Sequence, residues 1–407
     1  MRILSDELGL HAGERVQLAG WVHATRDLGS VSFVVLRDRR GTAQIVLDEP
    51  LGLELESVVE VEGTATAAPQ APGGVEVREA SFRVLSEAVA PPPVELRRPE
   101  LKEQLPTILD HAPVALRHPR RRALFELAAA AVAGFRSALD AQGFVEIQTP
   151  KIVGTATESG ANVFALDYFG RRAYLAQSPQ FYKQTMVGVF ERVYEVGPVF
   201  RGEPHDTTRH LAEYVSLDAE LGFVESHLDV MRVLRDAVAG MVESVAERAA
   251  RAVELLGLEL PAVPAEIPRV HFADTGVDDV DLAPADERRL CEEHGEFLFV
   301  TGYPMAKRPF YTHPEPGRPA YSNSFDLLFR GLELCTGGQR LHRYEDYVAA
   351  LGGETAGYEG YLEAFRHGMP PHGGFAIGLE RFVARLVGAQ NIRETTLFPR
   401  DRTRLAP

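Results

Sequence analysis

Cysteine is nearly absent from this sequence, whose 407 residues include only Cys291 and Cys335. Their spacing is not of a metal-binding type, and so few cysteines favour a reducing compartment such as the cytoplasm. Long apolar runs are missing as well, because the longest, residues 128–135, is far too short to span a bilayer. No positively charged start leads into an apolar segment, so neither a secretory signal nor a membrane partner is expected.

Excess positive charge is also lacking. The net charge is −15, and residues 1–90 contain 8 Lys and Arg against 14 Asp and Glu. Because phosphate groups favour a basic surface, this balance by itself argues against a nucleic-acid partner. A nucleic acid would have to be bound through local basic patches and specific base contacts. The length and the hydrophobic content of 45% fit an ordinary globular protein with two or three domains.

The most informative segment that is present covers residues 200–213, FRGEPHDTTRHLAE. Gly, Pro, Asp and Thr favour a turn at its centre, whereas the β-branched and aromatic flanks are typical of strands. The pattern predicts two antiparallel strands that carry a long loop with arginines, Arg201 and Arg209, at its base. Arginines suit a triphosphate because the planar guanidinium binds phosphate oxygens in pairs. A charged, solvated hairpin loop fits this segment equally well.

A second candidate phosphate site lies at residues 373–382, GGFAIGLERF. A glycine-rich apolar strand leads directly into a helix that has Arg381 in its first turn. Helix starts offer free N–H groups and the positive end of the helix dipole, which attract phosphate. Such strand–helix joints are common, so this segment alone is weak support.

A third segment, residues 324–340, contains two carboxylates that could hold a metal ion. Strand alternation predicts one face formed by Asp326, Leu328, Arg330, Leu332 and Leu334. Glu333 would lie on the other face, so a bend near Gly331 is needed if Asp326 and Glu333 are to share Mg²⁺ between them and phosphates. The alternative is that one carboxylate forms a salt bridge with Arg330 or Arg340.

The pattern along the chain predicts two domains of different kinds. Residues 1–86 read as five short strands with a turn at residues 38–41, which fits a small closed barrel. Residues 87–115, with prolines at 91–93, read as a linker. An α+β domain is expected over residues 116–407, with helices at 119–142, 226–256, 344–352 and 379–387.

Taken together, these segments resemble the class II aminoacyl-tRNA synthetases, and closely the aspartyl-tRNA synthetases of the archaeal/eukaryotic type. FRGEPHDTTRHLAE is similar to motif 2 of that family, and GGFAIGLER is similar to motif 3. Residues 122–150, a long helix followed by FVEIQTP, are similar to motif 1, which forms the dimer in that family. QSPQFYKQ at 177–184 and ELCTGGQR at 333–340 are similar to its amino-acid pocket. The resemblance covers essentially the whole chain.

The resemblance implies an α+β fold with an N-terminal OB-fold barrel for the anticodon and an antiparallel catalytic sheet of six to eight strands flanked by helices. It implies an ATP site formed by Arg201, Glu203, His210, Glu333 and Arg381, with Mg²⁺ held by Asp326, Glu333 and Thr336. Arg201 and Arg381 would be the catalytic residues, since Arg201 would neutralise charge at the α-phosphate. No general base is needed because the attacking carboxylate is ionised at pH 7. Catalysis would be positioning and charge stabilisation.

The resemblance also implies an aspartate pocket lined by Glu158, Gln180, Lys183, Tyr311, Thr336 and Arg340. Glu158 would bind the α-ammonium group from a glycine-rich lid loop. Lys183 and Arg340 would bind the substrate's side-chain carboxylate, and a neutral amide would leave these desolvated cations unpaired. Asparaginyl enzymes of the same subclass have an acidic residue where this chain has Lys183, so Lys183 favours aspartate. Without the motif, Lys183 would read as an exposed helix lysine.

In the barrel, Phe33 and Gln44 match positions that stack on and hydrogen-bond the central anticodon base in the resembled family. Phe33 alone would fit the barrel core. Members strict for tRNA-Asp carry Trp and Lys where this chain has His23 and Pro72, and relaxed members carry His and Pro. The two positions, expected on adjacent barrel loops, favour the relaxed type, which also makes Asp-tRNA-Asn for a downstream amidotransferase.

Other readings remain open at this point. The chain could be strict for tRNA-Asp, or an asparaginyl-tRNA synthetase, or a synthetase-derived asparagine synthetase, although that last group lacks the barrel. An inactive RNA-binding paralogue is disfavoured by the intact Arg201, Glu333 and Arg381. A homodimer built on motif 1 is expected, because an apolar helix stripe exceeds what one intramolecular face needs. The stripe comprises Leu124, Leu127, Phe135 and Leu139.

Overall fold

The structure is a computed structural model that describes residues 2–155, 163–202 and 207–407. It contains two compact units, Met1–Pro119 and Arg120–Pro407. The first unit has strands β1 (Arg15–Asp27), β2 (Ser32–Arg37), β3 (Thr42–Leu47), β4 (Val58–Ala67) and β5 (Val75–Ser86), and helices α1 (Leu105–Asp110) and α2 (Ala112–Ala115).

The five strands of the first unit close into a barrel in the order β1-β2-β3-β5-β4. Strand alternation fills its interior: in β2, Val34 and Leu36 are buried, whereas Phe33 is half-buried. The turn after β2 is held by Asp38, whose Oδ1 accepts from the N–H groups of Arg40 at 2.7 Å and Gly41 at 2.9 Å. The predicted OB-fold barrel and the turn at 38–41 are confirmed.

The segment expected to be a linker, residues 87–115, is more ordered than its composition suggests. It contains α1 and α2, and it buries Val94, Leu96 and Ala115 in one apolar cluster. The compact unit that contains the barrel extends to Pro119. The division between the two units therefore lies a few residues after the boundary predicted at 115/116.

In the described residues, the second unit has eight helices: α3 (Pro119–Asp140), α4 (Gln180–Phe190), α5 (His227–Arg248), α6 (Ala250–Leu256), α7 (Pro284–His294), α8 (Tyr344–Ala350), α9 (Glu359–Arg366) and α10 (Leu379–Val387). The predicted helices at 119–142, 344–352 and 379–387 correspond to α3, α8 and α10. The helix predicted at 226–256 is two helices interrupted at Ala249, and α4, α7 and α9 were not predicted. No helix in the described residues is long and apolar enough to cross a membrane.

Within the described residues, the strands of the second unit form a main sheet and two smaller sheets. They are β6 (Val145–Glu146), β7 (Ile152–Val153), β8 (Ala165–Tyr168), β9 (Arg171–Leu175), β10 (Arg192–Phe200), β11 (Glu213–Gly222), β12 (Arg269–His271), β13 (Phe297–Thr301), β14 (Pro314–Glu315), β15 (Arg318–Ser322), β16 (Ser324–Phe329), β17 (Leu332–Gln339) and β18 (His372–Gly378). Eight of them form one sheet in the order β12-β13-β16-β17-β18-β11-β10-β6.

The antiparallel sheet predicted by the resemblance is only partly correct. The six central strands pair antiparallel, but the edge pairs β12 with β13 and β10 with β6 are parallel. Parallel neighbours need a crossover connection, and the chain supplies helices for it: α7 lies between β12 and β13, and α4 lies between β6 and β10.

The two faces of this sheet differ in character. Asp218, Ala376, Thr336 and Asp326 lie opposite one another on β11, β18, β17 and β16, so they share one polar face. The alternate residues on these strands, among them Phe375, pack into an apolar core with α3 and α5. The small residues of β18 keep the polar face open, since a methyl group at Gly374 would overlap the Glu220 carboxylate.

The core also accounts for the apolar stripe on α3. Leu127, Phe135 and Leu139 are fully buried within the chain's own core, and Leu124 is nearly so. The expectation that this stripe exceeds an intramolecular need is therefore wrong. The α5 helix and the sheet cover the stripe, and the backbones of α3 and α5 come close where Gly134 faces Gly240.

A hairpin replaces the bent strand expected at residues 324–340. Strands β16 and β17 are joined by a two-residue turn in which Arg330 has φ 48° and Gly331 has φ 73°. Two consecutive positive φ angles match the right-handed strand twist and form a tight hairpin. The chain reversal, together with an irregularity in the register near Leu328, brings Asp326 and Glu333 to the same region.

Candidate active site

A cavity of about 340 Å³ opens on the polar face of the sheet. Its lining brings together residues from motif-like segments far apart in sequence, including the predicted site residues Gln180, Lys183, Arg201, His210, Tyr311, Glu333, Thr336, Arg340 and Arg381. Glu158 and Glu203 lie outside the described residues. The cavity has a cation-rich end and a buried end around Lys183 and Arg340, which are described in turn.

Four arginines form the cation-rich end, and the first two are Arg201 and Arg381. Arg201 follows β10, with its guanidinium 5.5 Å from the ring centre of Tyr214. Arg381, in the first turn of α10, donates from Nη1 to the main-chain oxygen of Glu333 at 3.1 Å and to Glu333 Oε1 at 3.3 Å. Burial would raise the pKa of Glu333, but the charges of Arg381 and Arg201 bring it below its ordinary value.

Two further arginines are in the lining: Arg209, which the sequence predicted at the base of the loop, and Arg308, to which it assigned no role. Arg209 lies 3.2 Å from the buried Glu287, and Arg308 lies 3.2 Å from Asp326. No local sequence pattern indicates a role for Arg308, because its partner Asp326 is distant in sequence and is brought close only by the fold. Together with Arg201 and Arg381, these side chains fit a polyphosphate, whose oxygens the guanidinium groups bind in pairs.

Asp326, Glu333 and Thr336 come together as predicted. Thr336 Oγ1 donates to Glu333 Oε1 at 3.1 Å. Burial raises the pKa of Asp326 to about 6; Arg308 opposes this shift and the negative charge of Glu333 adds to it. The described residues contain no cluster of three or more His, Cys, Asp or Glu side chains that could hold a metal. Two carboxylates are nevertheless the set that Mg²⁺ uses when phosphates supply further ligands.

The alternative that Arg330 or Arg340 neutralises one of these carboxylates is wrong. Arg330 Nε lies 2.7 Å from Glu296 Oε1, outside the cavity. Arg340 pairs with Glu220 at the buried end of the cavity. The cations that neutralise Asp326 and Glu333 are Arg308 and Arg381.

Lys183, on α4, lies at the buried end of the cavity and is only 1% exposed. The reading of Lys183 as an exposed helix lysine is therefore wrong. Its Nζ donates to Asp218 Oδ1 at 2.9 Å and to the main-chain oxygen of Phe375 at 3.1 Å, and it lies 3.4 Å from Glu220 Oε2. Asp218 and Glu220 alternate on β11, a spacing that could have indicated their shared face from the sequence.

Arg340, at the end of β17, completes this charge cluster. Its Nε donates to Glu220 Oε1 at 2.9 Å, and its Nη2 donates to the main-chain oxygen of Gly374 at 3.0 Å. Burial would raise the pKa of Glu220, but Arg340 and Lys183 bring it below the ordinary value. Within the described residues, the two N–H groups of Arg340 Nη1 remain as donors for a ligand in the cavity.

In the barrel, Phe33 and Gln44 lie on the outer face of neighbouring strands β2 and β3. Phe33 is half-buried, so the alternative that it belongs to the barrel core is wrong. Gln44 Nε2 donates to Glu76 Oε2 at 2.9 Å. An aromatic ring beside an amide on an open strand face is an arrangement that can stack and hydrogen-bond an unpaired base.

His23 lies within β1, so the expectation that it lies on a barrel loop is wrong. Pro72 is exposed in the connection between β4 and β5. Arg37 is buried, binds both carboxylate oxygens of Glu56, and lies with Nη1 2.9 Å from His23 Nδ1. Burial and the charge of Arg37 lower the pKa of His23. Because a guanidinium only donates, Nδ1 accepts and the proton of the neutral ring is on Nε2. His23 therefore offers a ligand a single hydrogen-bond donor, Nε2–H.

Comparisons with known proteins agree with this geometry. The family "tRNA synthetases class II (D, K and N)" matches residues 104–402, and the "OB-fold nucleic acid binding domain" matches residues 16–85. The chain is 48% identical to the aspartate–tRNA(Asp/Asn) ligase of Deinococcus radiodurans, covering 100% of this chain and 99% of that protein. It is 47% identical to the ligase of the same name from Thermus thermophilus, with 100% of each covered.

Solved structures give the same picture. The asparaginyl-tRNA synthetase from Pyrococcus horikoshii, complexed with asparaginyl-adenylate, superposes with a TM-score of 0.94 at 31% identity over 100% of both chains. The aspartyl tRNA synthetase from Entamoeba histolytica gives a TM-score of 0.87 at 28% identity over 100% of this chain and 93% of that one. The chain belongs to the class II aminoacyl-tRNA synthetases, in the family of the aspartate, lysine and asparagine enzymes.

Proposed function

We propose that this enzyme attaches L-aspartate to tRNA through an aspartyl-adenylate, and that it accepts both tRNA-Asp and tRNA-Asn. The observation that carries the choice of aspartate is the pair of buried cations, Lys183 and Arg340, at the amino-acid end of the cavity. The relatives named aspartate–tRNA(Asp/Asn) ligase, 47–48% identical over the full chain, support the same substrates. The high TM-score of an asparaginyl enzyme reflects the shared fold, so the choice depends on these side chains.

The charges of the pocket explain why a carboxylate is preferred to an amide. Lys183 and Arg340 balance Asp218 and Glu220, so an incoming carboxylate meets no excess of negative charge. Nη1 of Arg340 then offers an N–H group from which a substrate carboxylate can accept a charge-assisted hydrogen bond. An amide would bring no charge to these desolvated donors and would turn its own NH₂ group toward them.

The cation-rich end would hold ATP. Arg201 would stabilise the charge at the α-phosphate while the ionised α-carboxylate of aspartate attacks it and pyrophosphate leaves. His210 and Arg381 would hold the β- and γ-phosphates. Asp326 and Glu333 would bind Mg²⁺, which when bound neutralises phosphate charge. Glu158 and Glu203 lie outside the described residues, and their predicted roles, binding of the α-ammonium group by Glu158 and of ATP by Glu203, stay predictions.

The direct test is aminoacylation of purified tRNA-Asp and tRNA-Asn, each with aspartate and with asparagine. We expect aspartate to be attached to both tRNAs with kcat/KM values that differ by no more than about tenfold, a difference of about 1.4 kcal/mol. Asparagine should be attached to neither tRNA. Charging with asparagine would refute the proposed amino acid. Refusal of tRNA-Asn would refute the relaxed tRNA choice and, with it, the supply of Asp-tRNA-Asn to an amidotransferase.

The same assay locates the tRNA choice in the barrel. The two tRNAs differ at the third anticodon base, C in tRNA-Asp and U in tRNA-Asn, and both pyrimidines carry an O2 acceptor that the single donor of His23 can bind. Replacing His23→Trp and Pro72→Lys together should cut charging of tRNA-Asn about tenfold more than that of tRNA-Asp, given the 1–3 kcal/mol of one base contact. A lysine suits the adjacent N3 and O2 acceptors of C, whereas N3 of U is a donor.

Aspartate activation should be unchanged in this barrel variant, because the activation chemistry takes place in the other unit. Pro69→Lys is the matched control, since Pro69 is exposed in the same connection between β4 and β5. An equal loss on both tRNAs would mean that the barrel binds tRNA without choosing between them.

A homodimer built on the segment that resembles motif 1 is part of the proposal. Val145 on β6 and Ile152 on β7 are 40% and 48% exposed, and β6 is an edge strand of the main sheet with backbone groups that a second copy can pair. We expect light scattering at micromolar concentration to give twice the chain mass of 44.8 kDa. A monomer at that concentration would contradict this part of the proposal.

A cytoplasmic location fits the proposed substrates, which are tRNAs, amino acid and ATP. Cys291 and Cys335 are both buried and unpaired with each other, as a reducing compartment allows.

A further inference from the structure

A chain of hydrogen bonds below the cavity connects Gln180 to side chains that the mechanism above does not use. Gln180 lines the cavity and donates from Nε2 to Gln184 Oε1 at 2.9 Å. Gln184 Nε2 lies 2.9 Å from His372 Nε2 and donates to Tyr347 Oη at 3.1 Å. Tyr361 Oη lies 3.0 Å from Gln184 Oε1. All of these deeper side chains are buried.

Two main-chain carbonyls fix the direction of this chain, because a carbonyl oxygen only accepts. His372 Nδ1 lies 2.9 Å from the oxygen of Pro370 and must therefore carry a proton. Tyr347 donates its only proton to the oxygen of Leu341 at 2.8 Å. Burial lowers the pKa of His372 to about 4, so its ring is neutral at pH 7 and its Nε2 is an acceptor.

The orientation of Gln184 follows from these two acceptors. Its NH₂ group faces His372 Nε2 and Tyr347 Oη, so its carbonyl oxygen faces Gln180 and Tyr361. Gln180 in turn has to present its NH₂ group to Gln184. The carbonyl oxygen of the Gln180 carboxamide is therefore the atom that can face the cavity.

We propose that Gln184, anchored by His372, is a positioning residue that holds the Gln180 carboxamide with its oxygen toward the cavity, as an acceptor for the α-ammonium group of the amino-acid substrate. If the Gln180 carboxamide were flipped, its NH₂ group would face the substrate ammonium group. Two buried donors would then face each other, which costs free energy because neither has an acceptor. This inference rests on the proposed function, since it assigns the α-ammonium group to that end of the cavity.

The test compares two ligands that differ only in the α-amino group. Succinate has both carboxylates of aspartate but no ammonium. Gln184→Met keeps the side-chain length and removes the bonds to Gln180 and His372. We expect the KM for aspartate in pyrophosphate exchange to rise about tenfold, the range expected for one lost hydrogen bond to a charged group. The inhibition constant of succinate, the KM for ATP and kcat should stay within about threefold, a difference of about 0.6 kcal/mol.

Tyr361→Phe is the matched control. It removes the Tyr361 hydroxyl from Gln184 Oε1 but leaves His372 Nε2 and Tyr347 Oη, the two acceptors that orient the Gln184 amide. Aspartate and succinate should therefore both bind as in the wild type. His372→Leu is a second way to release Gln184 if Gln184→Met unfolds, and it should reproduce the selective loss of aspartate binding. Equal weakening of aspartate and succinate, or no change in either, would overturn the positioning role.

The two proposals fail in different ways. If the wild-type enzyme activates asparagine and not aspartate, the proposed function is wrong. The positioning role is then tested with asparagine and succinamate, which again differ only in the α-amino group. A selective loss of asparagine binding in Gln184→Met would still support it.

Discussion

Lys183→Glu is expected to lower aspartate-dependent pyrophosphate exchange by at least about 10³-fold, equivalent to about 4 kcal/mol of transition-state stabilisation. In the wild type, two cations face two carboxylates at this end of the cavity. The substitution leaves one cation, Arg340, among three carboxylates, so the four groups change from no net charge to two negative charges. A substrate carboxylate entering this buried site would be repelled, and like charges are costly where water cannot screen them.

The controls separate this electrostatic effect from a loss of structure. Lys307→Glu makes the same change of charge at an exposed position beside Arg308, and exchange should stay within about threefold, as for most surface substitutions. Lys183→Met removes the charge without adding another and should give an intermediate loss. Because Lys183 neutralises the buried Asp218, thermal unfolding and ATP binding are measured for each variant. Normal aspartate activation by Lys183→Glu would show that Lys183 is not part of the amino-acid pocket.

Local patterns in the sequence were sufficient to predict the elements that carry the site. The barrel strands follow from alternation and turn residues, and the loop-bearing pair β10 and β11 follows from the β-branched flanks of residues 200–213. These signals act over a few residues, so no knowledge of the rest of the chain is needed. The edge strands β6 and β12 are only two and three residues long, which is too short for a comparable pattern to predict them.

Partners across the sheet could not be predicted in the same way. The ion pairs of Lys183 with Asp218 and of Asp326 with Arg308 depend on which strands are neighbours and in what register. The apolar stripe of α3 shows the same limit, because its own residues do not reveal that α5 covers it. For His23, the strand pattern and the family resemblance predict different positions. The strand pattern of residues 15–27 includes His23, whereas the resemblance placed it on a loop. The structure follows the strand pattern.

Arg381→Gln should reduce pyrophosphate exchange by about 10²- to 10³-fold, the loss typical when one stabilising donor is removed from a developing charge. Two effects act in the same direction. The helix start of α10 loses the guanidinium that adds to its positive end, and Glu333 loses the cation that lies 3.3 Å from its Oε1. An uncompensated carboxylate then faces the phosphates, so the KM for ATP should rise while the KM for aspartate changes little.

A graded series distinguishes charge from geometry at this position. Arg381→Lys keeps the charge but loses the planar fork, so a loss of about tenfold is expected, between wild type and Arg381→Gln. Arg385→Gln, one turn further along α10 and outside the cavity lining, is the matched control and should leave the KM for ATP unchanged. If Arg381→Gln behaves like Arg385→Gln, the phosphates do not bind at the start of α10. If Arg381→Gln instead raises the KM for aspartate alone, the cation-rich end binds aspartate and has been assigned to the wrong substrate. That result would also contradict the assignment of the aspartate side-chain carboxylate to Lys183 and Arg340.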